Sequence, residues 1–192
     1  MRFFILCSSN MRVAVVVAYT LRKELEQFMS LCMPCILENV KDAILVGVTF
    51  IDGTTNVGAC YNAAVRHIHA DTYMFHDARY RLEDATMYNR PVDYVRFSAC
   101  EDGVMMISAT YSVITAINGF SNVQWEAHTD AATLQKRAES NGVEVIHDRD
   151  TWTDLQLTKS SCSTLTVSVP QDKYTDGLWE LKASLVHRDD EP

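Results

Sequence analysis

Residues Val13 to Ala18 read VAVVVA, six apolar residues in a row with no polar alternation. A strand exposed on one face alternates apolar and polar side chains, so an unbroken β-branched run of this length belongs to a strand covered on both faces. The next segments agree. Leu21, Leu25, Phe28, Met29, Cys32, Ile36 and Leu37 recur at helical spacing, with Pro34 expected to kink or break the helix. Ala43 to Phe50 (AILVGVTF) is a second buried strand. Asn56 to His69 is a small-residue helix with an asparagine N-cap, and Thr72 to Phe75 is a third strand. Strand, helix, strand, helix, strand is the order of a doubly wound α/β sheet, in which ligands bind beyond the carboxyl ends of the strands. The residues just after the first and third strands, Tyr19 to Arg22 and His76 to Arg79, are therefore the first place to look for chemistry.

The remainder is less regular. Gly103 to Ser108 reads as a strand, Tyr111 to Ile117 as a short helix and Asn118 to Asn122 as a turn. Asp130 to Asn141 is a helix stopped by Gly142, and Val143 to Ile146 is a strand. Thr164 to Val169 and Leu178 to Val186 read as late antiparallel strands. With 192 residues, 7 Gly and 4 Pro, the chain has no linker-like stretch, and residues 1–192 are read as one domain.

Charge and cysteines narrow the partners. A net charge of -8 repels a phosphate backbone and argues against a nucleic-acid-binding face, though a single nucleotide needs only one or two local cations. Phe3 to Leu6 is too short for a secretory core, and no stretch reaches the roughly 20 apolar residues of a membrane span. Cys32-Met33-Pro34-Cys35 falls within an apolar helical run, whereas a redox pair is expected just after a strand, at a helix start. The six cysteines therefore read as unpaired thiols, and the expected setting is cytoplasmic.

Four stretches, in order, resemble the β-1,4-galactosyltransferase catalytic domain: residues 13 to 40, Asn56 to Ala64, TYMFHDARYRLED (72 to 84), and AINGFSNVQWEAHTDAATLQKRAESNG (116 to 142). The last is similar to that family's I-N-G-F-x-N-x-Y-W-G-W-G-G-E-D-D-D block. Ile146-His147 resembles its late metal-binding histidine, and the likeness covers roughly residues 12 to 187. The resemblance implies a nucleotide-diphospho-sugar transferase (GT-A, Rossmann-like) fold with a mostly parallel central sheet. It also implies an inverting transfer from a nucleoside diphosphate-sugar, a UDP-sugar first, to a hydroxyl or glycan acceptor, with Mn2+ as the family's cofactor. The departures are specific. The family's D-x-D is Asp77-Ala78-Arg79, and its acidic cluster is reduced to Asp130, with Glu126 nearer Trp125.

Each candidate has a functional and a bland reading. Asp77 holds ribose or a diphosphate-bound cation, or else caps the following turn. Arg79 neutralises the diphosphate through a bidentate contact and repels a divalent ion, or else is a surface arginine paired with Glu83 or Asp84. His147 is a metal ligand beside Asp77, or a solvated strand-end histidine. Trp125 stacks on a sugar ring, or packs. Asp130 is the base that takes the acceptor proton, or a helix-start acid. Strict register sets Asp130 against the family's glutamate, and a one-residue gap sets Thr129-Asp130 against its acid pair. Tyr19 and Arg22 reach the nucleotide, or Arg22 belongs to a solvated helix face. Gly103 lets backbone approach the sugar, or only turns the chain. The rival to an enzyme is a catalytically inactive relative that keeps the fold and binds the nucleotide.

Overall fold

In the computed structural model the described residues are 12–41, 43–50, 56–89, 93–101, 103–123, 131–155, 164–168 and 184–188. The element order is β1 (Val13–Ala18), α1 (Arg22–Leu31), α2 (Met33–Asn39), β2 (Ile44–Phe50), α3 (Val57–His67), β3 (Thr72–Asp77) and β4 (Tyr80–Leu82), then a 3-10 turn at Ala85–Asn89. There follow β5 (Val95–Cys100), β6 (Gly103–Thr110), α4 (Tyr111–Ala116), α5 (Ala131–Ser140), β7 (Val145–Arg149), β8 (Trp152–Asp154), β9 (Thr164–Ser168) and β10 (Ser184–Arg188). Eight strands form one sheet in the order β10-β9-β2-β1-β3-β6-β5-β7, while β4 and β8 pair separately. β1 pairs in parallel with β2 and β3, and β6 and β10 alone run against the rest. The sheet is thus mostly parallel, as expected.

β1 lies at its centre, and Val13 to Val17 are fully buried. Alternation divides the run between two cores. Ala14 and Val16 pack with α3, α4 and α5, while Val13, Val15, Val17 and Tyr19 pack with α1, α2 and the 3-10 turn. Each valine taken out of water contributes about 1.5–3 kcal/mol, so an unalternating sequence is what a double-sided position selects.

The helix expected through Pro34 ends two residues sooner. Cys32 closes α1 and opens α2, which puts Pro34 in the first turn of α2. A proline ring inside a continuous helix would clash with the carbonyl four residues back, here Ser30, but in a first turn its missing N–H costs nothing. β3 runs two residues past its expected end, so His76 and Asp77 are strand residues. β9 and β10 are antiparallel to each other, as expected, yet β9 joins β2 in parallel.

The Asn118–Asn122 turn is fastened to α3. Asn118 and Gly119 both adopt positive φ (57° and 60°), the conformation an Asn-Gly pair tolerates. Asn62 Nδ2 donates to the Phe120 carbonyl (2.9 Å) and to Asn122 Oδ1 (2.8 Å), and the Phe120 N–H donates to Asn62 Oδ1 (2.9 Å). Asn56 Nδ2 donates to the Asn122 carbonyl (2.6 Å), while its Oδ1 caps α3 by accepting from the Ala59 N–H. Gly58 permits the approach, since a Cβ there would lie 2.1 Å from the Ser121 carbonyl oxygen.

Candidate functional site

β3 ends at Asp77, in register with Ala18 at the end of β1. A cleft at this edge encloses about 90 Å³, lined by Ala18, Thr20, Glu24, Tyr61, Asp77 and Arg79 among others.

The sharpest feature of the cleft is a two-pronged ion pair. Arg79 Nε donates to Asp77 Oδ1 (2.9 Å) and its terminal nitrogen to Oδ2 (2.6 Å), and the Arg79 backbone N–H also reaches Oδ1 (3.0 Å). The Asp77 side chain is 18% exposed and that of Arg79 40%. Burial alone would push the Asp77 carboxyl up, but the hydrogen bonds and charge of Arg79 outweigh it and hold the group below its ordinary value. The same bond with Asp77 raises Arg79 further, so both stay charged at any physiological pH. Glu24 faces the pair from α1, where its carboxylate caps the helix by accepting from the Thr20 (3.0 Å) and Leu21 (3.2 Å) N–H groups.

Beneath Asp77, on the other face of the sheet, His76 is fully buried. Its Nδ1 is 2.8 Å from the Asp77 carbonyl, which can only accept, so Nδ1 carries the proton and Nε2 accepts from the Tyr88 hydroxyl at 2.6 Å. Phe28, Tyr88 and Trp152 rings surround it. Burial lowers the imidazole to about 4, with a smaller opposing effect from Asp77.

Of the sequence candidates, the structure brings Asp77 and Arg79 together. Arg79 turns back to Asp77 rather than forward to Glu83 or Asp84. Tyr19 is turned into the core against α1 and α2, and Thr20 takes its place in the cleft lining. Arg22 opens α1 and pairs with Glu26 at 3.3 Å. Gly103 begins β6 at φ +128°, a conformation that disfavours any side chain, beside the cleft-lining Val104. His147 is exposed on edge strand β7, its ring stacked on Phe97. It shares the register row of Phe97, Ile107 and Phe75, three strands from β3 or roughly 14 Å at about 4.8 Å per strand. The structure therefore does not bring His147 to Asp77. Trp125, Glu126 and Asp130 lie outside the described residues. Thr20 falls within the Tyr19 to Arg22 segment expected at the site, whereas Glu24 and Tyr61 were not among the expected site residues. The signal for Glu24 was its place three residues after Leu21, the N-cap of α1, where a glutamate caps backward.

The described residues do not suit a divalent ion here. Both Asp77 oxygens are engaged by Arg79, and no group of three His, Cys, Asp or Glu among the described residues is placed to hold a metal. No helix among them is long and apolar enough to cross a membrane.

The architecture is that of the nucleotide-diphospho-sugar transferases, the GT-A fold. In particular, the chain is similar to the catalytic domain of Drosophila β1,4-galactosyltransferase 7. It matches that domain in complex with xylobiose at a TM-score of 0.60 and 14% identity, over 79% of this chain and 76% of the other. A mutant of the same enzyme, in complex with manganese, UDP-Gal and xylobiose, matches at a TM-score of 0.58 and 14% identity, over 94% and 71%. At this identity the likeness is one of fold. The sequence matches no family model and no curated protein.

Proposed function

We propose that this chain, acting as one domain, binds a nucleoside diphosphate-sugar, a uridine donor first, across the ends of β1 and β3. It would transfer the sugar with inversion to a hydroxyl of a glycan acceptor. The observation that carries this reading is the Asp77–Arg79 fork at the ligand edge of a GT-A sheet. Departure of a nucleoside diphosphate concentrates negative charge on the phosphate oxygen, and a fixed guanidinium meets it without reorganising. Arg79 has that role here and Asp77 aims it, in place of a manganese ion. The acceptor oxygen attacks the anomeric carbon, the bond from that carbon to the diphosphate breaks, and Asp130 takes the hydroxyl proton. Trp125 covers the sugar ring.

The test is a melting-temperature screen of the full chain with UDP and UDP-sugars, in EDTA and in manganese. At 100 times Kd the gain is about 2.7 kcal/mol, or roughly 5–11 °C for a chain of this size. No shift with any nucleotide overturns the reading. A shift confined to manganese overturns the role of Arg79 and restores the metal. Given binding, Asp130→Asn lowers transfer about 10²–10⁴-fold with donor affinity unchanged. Turnover within threefold of the unaltered chain would remove Asp130 as base. A second reading, a transferase-like module that binds without turnover, is favoured by the closure of Asp77 onto Arg79. Nucleotide-induced stabilisation with no hydrolysis of any donor would select it.

A further inference from the structure

Cys32 and Cys35 occupy the joint between α1 and α2, where the sequence reading expected the interior of one helix. The Cys32 N–H donates to the Phe28 carbonyl at 2.8 Å and closes α1, and its carbonyl accepts from the Ile36 N–H at 3.0 Å and opens α2. Cys35 follows in the first turn of α2. Helical rise and radius put Cα atoms three residues apart at about 5 Å, within the ~4.4–6.8 Å that a disulfide spans. Cys32 packs in one core cluster with Met87 and Tyr88 of the 3-10 turn. Cys32 is buried, its S–H directed at the Tyr80 carbonyl (3.8 Å), and Cys35 is half-buried. The Tyr88 hydroxyl, raised first by burial, also feels both sulfurs. Among the described residues Cys60 sits in the core on the other face of the sheet and Cys100 ends β5, so Cys32 and Cys35 are the natural partners of each other.

We propose that Cys32 and Cys35 are a redox pair, a dithiol converted to an intrachain disulfide by exchange with a small-molecule disulfide of the glutathione type. Cys35, which solvent reaches, attacks one sulfur of the glutathione disulfide as its thiolate. A mixed disulfide forms and one glutathione leaves as a thiolate that takes up a proton. Cys32 then gives its proton to solvent and attacks the Cys35 sulfur, which closes the Cys32–Cys35 bond and expels the second glutathione. Two protein thiols are oxidised and one disulfide is reduced to two thiols. Burial raises Cys32 to about 12, so closure is the slow step, and it accelerates roughly tenfold per pH unit above neutrality.

The pair is tied to the cleft by two short paths. Cys32 contacts the Tyr80 carbonyl, and Tyr80 follows Arg79 directly. Tyr88, whose hydroxyl feels the charge of both sulfurs, donates to His76, which donates to the Asp77 carbonyl. Closing the disulfide removes the Cys32–Tyr80 contact and so loosens the start of β4 next to the fork.

The experiment equilibrates the full chain with reduced and oxidised glutathione at several ratios, quenches with acid, alkylates, and maps disulfides by peptide mass. The expected result is a Cys32–Cys35 peptide that has lost two hydrogens and resists alkylation, forming about tenfold faster at pH 8 than at pH 7. In Cys32→Ser, Cys35 stops at the mixed disulfide. Both cysteines still alkylated in excess glutathione disulfide, or either one bonded to Cys7, Cys60, Cys100 or Cys162, overturns the pair. Amide hydrogen exchange then compares the oxidised and reduced chains, with severalfold faster exchange at residues 79–82 expected on oxidation. Unchanged exchange there, in a chain that carries the disulfide, overturns the tie to the cleft. Neither measurement involves a nucleotide, so this inference stands or falls apart from the proposed transfer.

Discussion

The turn at Asn118–Asn122 and the fork at Asp77–Arg79 are each held by side-chain hydrogen bonds, yet by opposite means. The first rests mainly on buried amides, Asn56 and Asn62, satisfied by backbone groups and by Asn122, with the Arg137 guanidinium adding bonds to the Asn118, Gly119 and Phe120 carbonyls. The second uses full charges, with the Arg79 side chain 40% open to water and that of Asp77 18%. Buried amides are costly to orphan, and their bonds do not titrate between pH 2 and 12. A half-exposed ion pair contributes little to stability and is screened by salt. The brace therefore belongs to folding, and the fork presents charge to a ligand at small cost. Three substitutions sharpen or break this contrast.

The largest effect is expected at the brace. Asn62→Ala removes three hydrogen bonds: it takes the partner of the buried Phe120 N–H, takes one donor from the Asn122 side chain, and leaves the Phe120 carbonyl the longer bond from Arg137 (3.4 Å). The expected loss is about 3–5 kcal/mol, or roughly 6–20 °C in Tm for a chain this long. Urea unfolding measures it, and the loss should be the same at pH 5 and pH 8. A loss under 1 kcal/mol would mean that the turn is held by something other than these amides.

How far each region could be read from sequence follows from the same difference. Asn118-Gly119 announced its turn because two successive positive-φ residues need that dipeptide. The VAVVVA strand announced itself because burial on both faces removes alternation. β5 gave no such sign. Arg96 and Ser98 interrupt its apolar run, and what makes a buried arginine tolerable, Asp148 at 2.5 Å and Asp150 at 3.7 Å, lies about fifty residues further along the chain. Arg96 is 2% exposed there, a charge that only the tertiary fold neutralises. Tyr19 was misplaced for a simpler reason. Strand alternation sets it on the face of Val13, Val15 and Val17, and that period was legible. The fork was half legible: the end of β3 marked Asp77 and Arg79, but not that the turn into β4 folds Arg79 back onto Asp77. The turn-following loop that carries Trp125 and Asp130 is read from resemblance alone.

The next effect in size lies between brace and fork, at His76, and it depends on pH. Its folded value is about 4 against about 6.5 unfolded, lowered by burial. A lowered value means that the unfolded chain binds the proton more readily, so stability is complete above pH 6.5 and falls as pH drops toward 4. At 1.36 kcal/mol per unit the full loss is roughly 3 kcal/mol. The Asp77 carbonyl and the Tyr88 hydroxyl take the two ring nitrogens, and the Phe28 and Trp152 rings offer no compensating charge. His76→Gln keeps a donor and an acceptor and removes the titration, so its unfolding free energy should be flatter between pH 7 and 4.5. Equal slopes in the two proteins would assign the acid loss to carboxylates elsewhere.

The smallest stability effect, and the most informative, is expected at the fork. Arg79→Gln breaks a pair whose arginine is 40% exposed, so the loss at pH 7 should be about 1 kcal/mol or less, a shift of no more than about 2–4 °C. Its pH dependence should change sign. With Arg79 in place, the Asp77 value is lowered, so the pair's contribution is present above the unfolded carboxyl range near 4 and lost below it. With Arg79 gone, burial is the dominant influence left on Asp77 and pushes it above that range. The contribution of Asp77 should then be full below the unfolded carboxyl range near 4 and be lost as pH rises through the raised value, the reverse of the unaltered chain. Salt should weaken the unaltered fork and have less effect on the variant. Under the proposed function the same substitution removes the cation that meets the diphosphate, so stabilisation by UDP in EDTA should vanish although the fold is nearly untouched. Small loss of stability with full loss of the UDP shift makes Arg79 a ligand residue. Small loss of stability with an undiminished UDP shift makes it a surface clasp for β4. A loss above 3 kcal/mol would erase the contrast with Asn62, since the fork would then be holding the fold as the brace does.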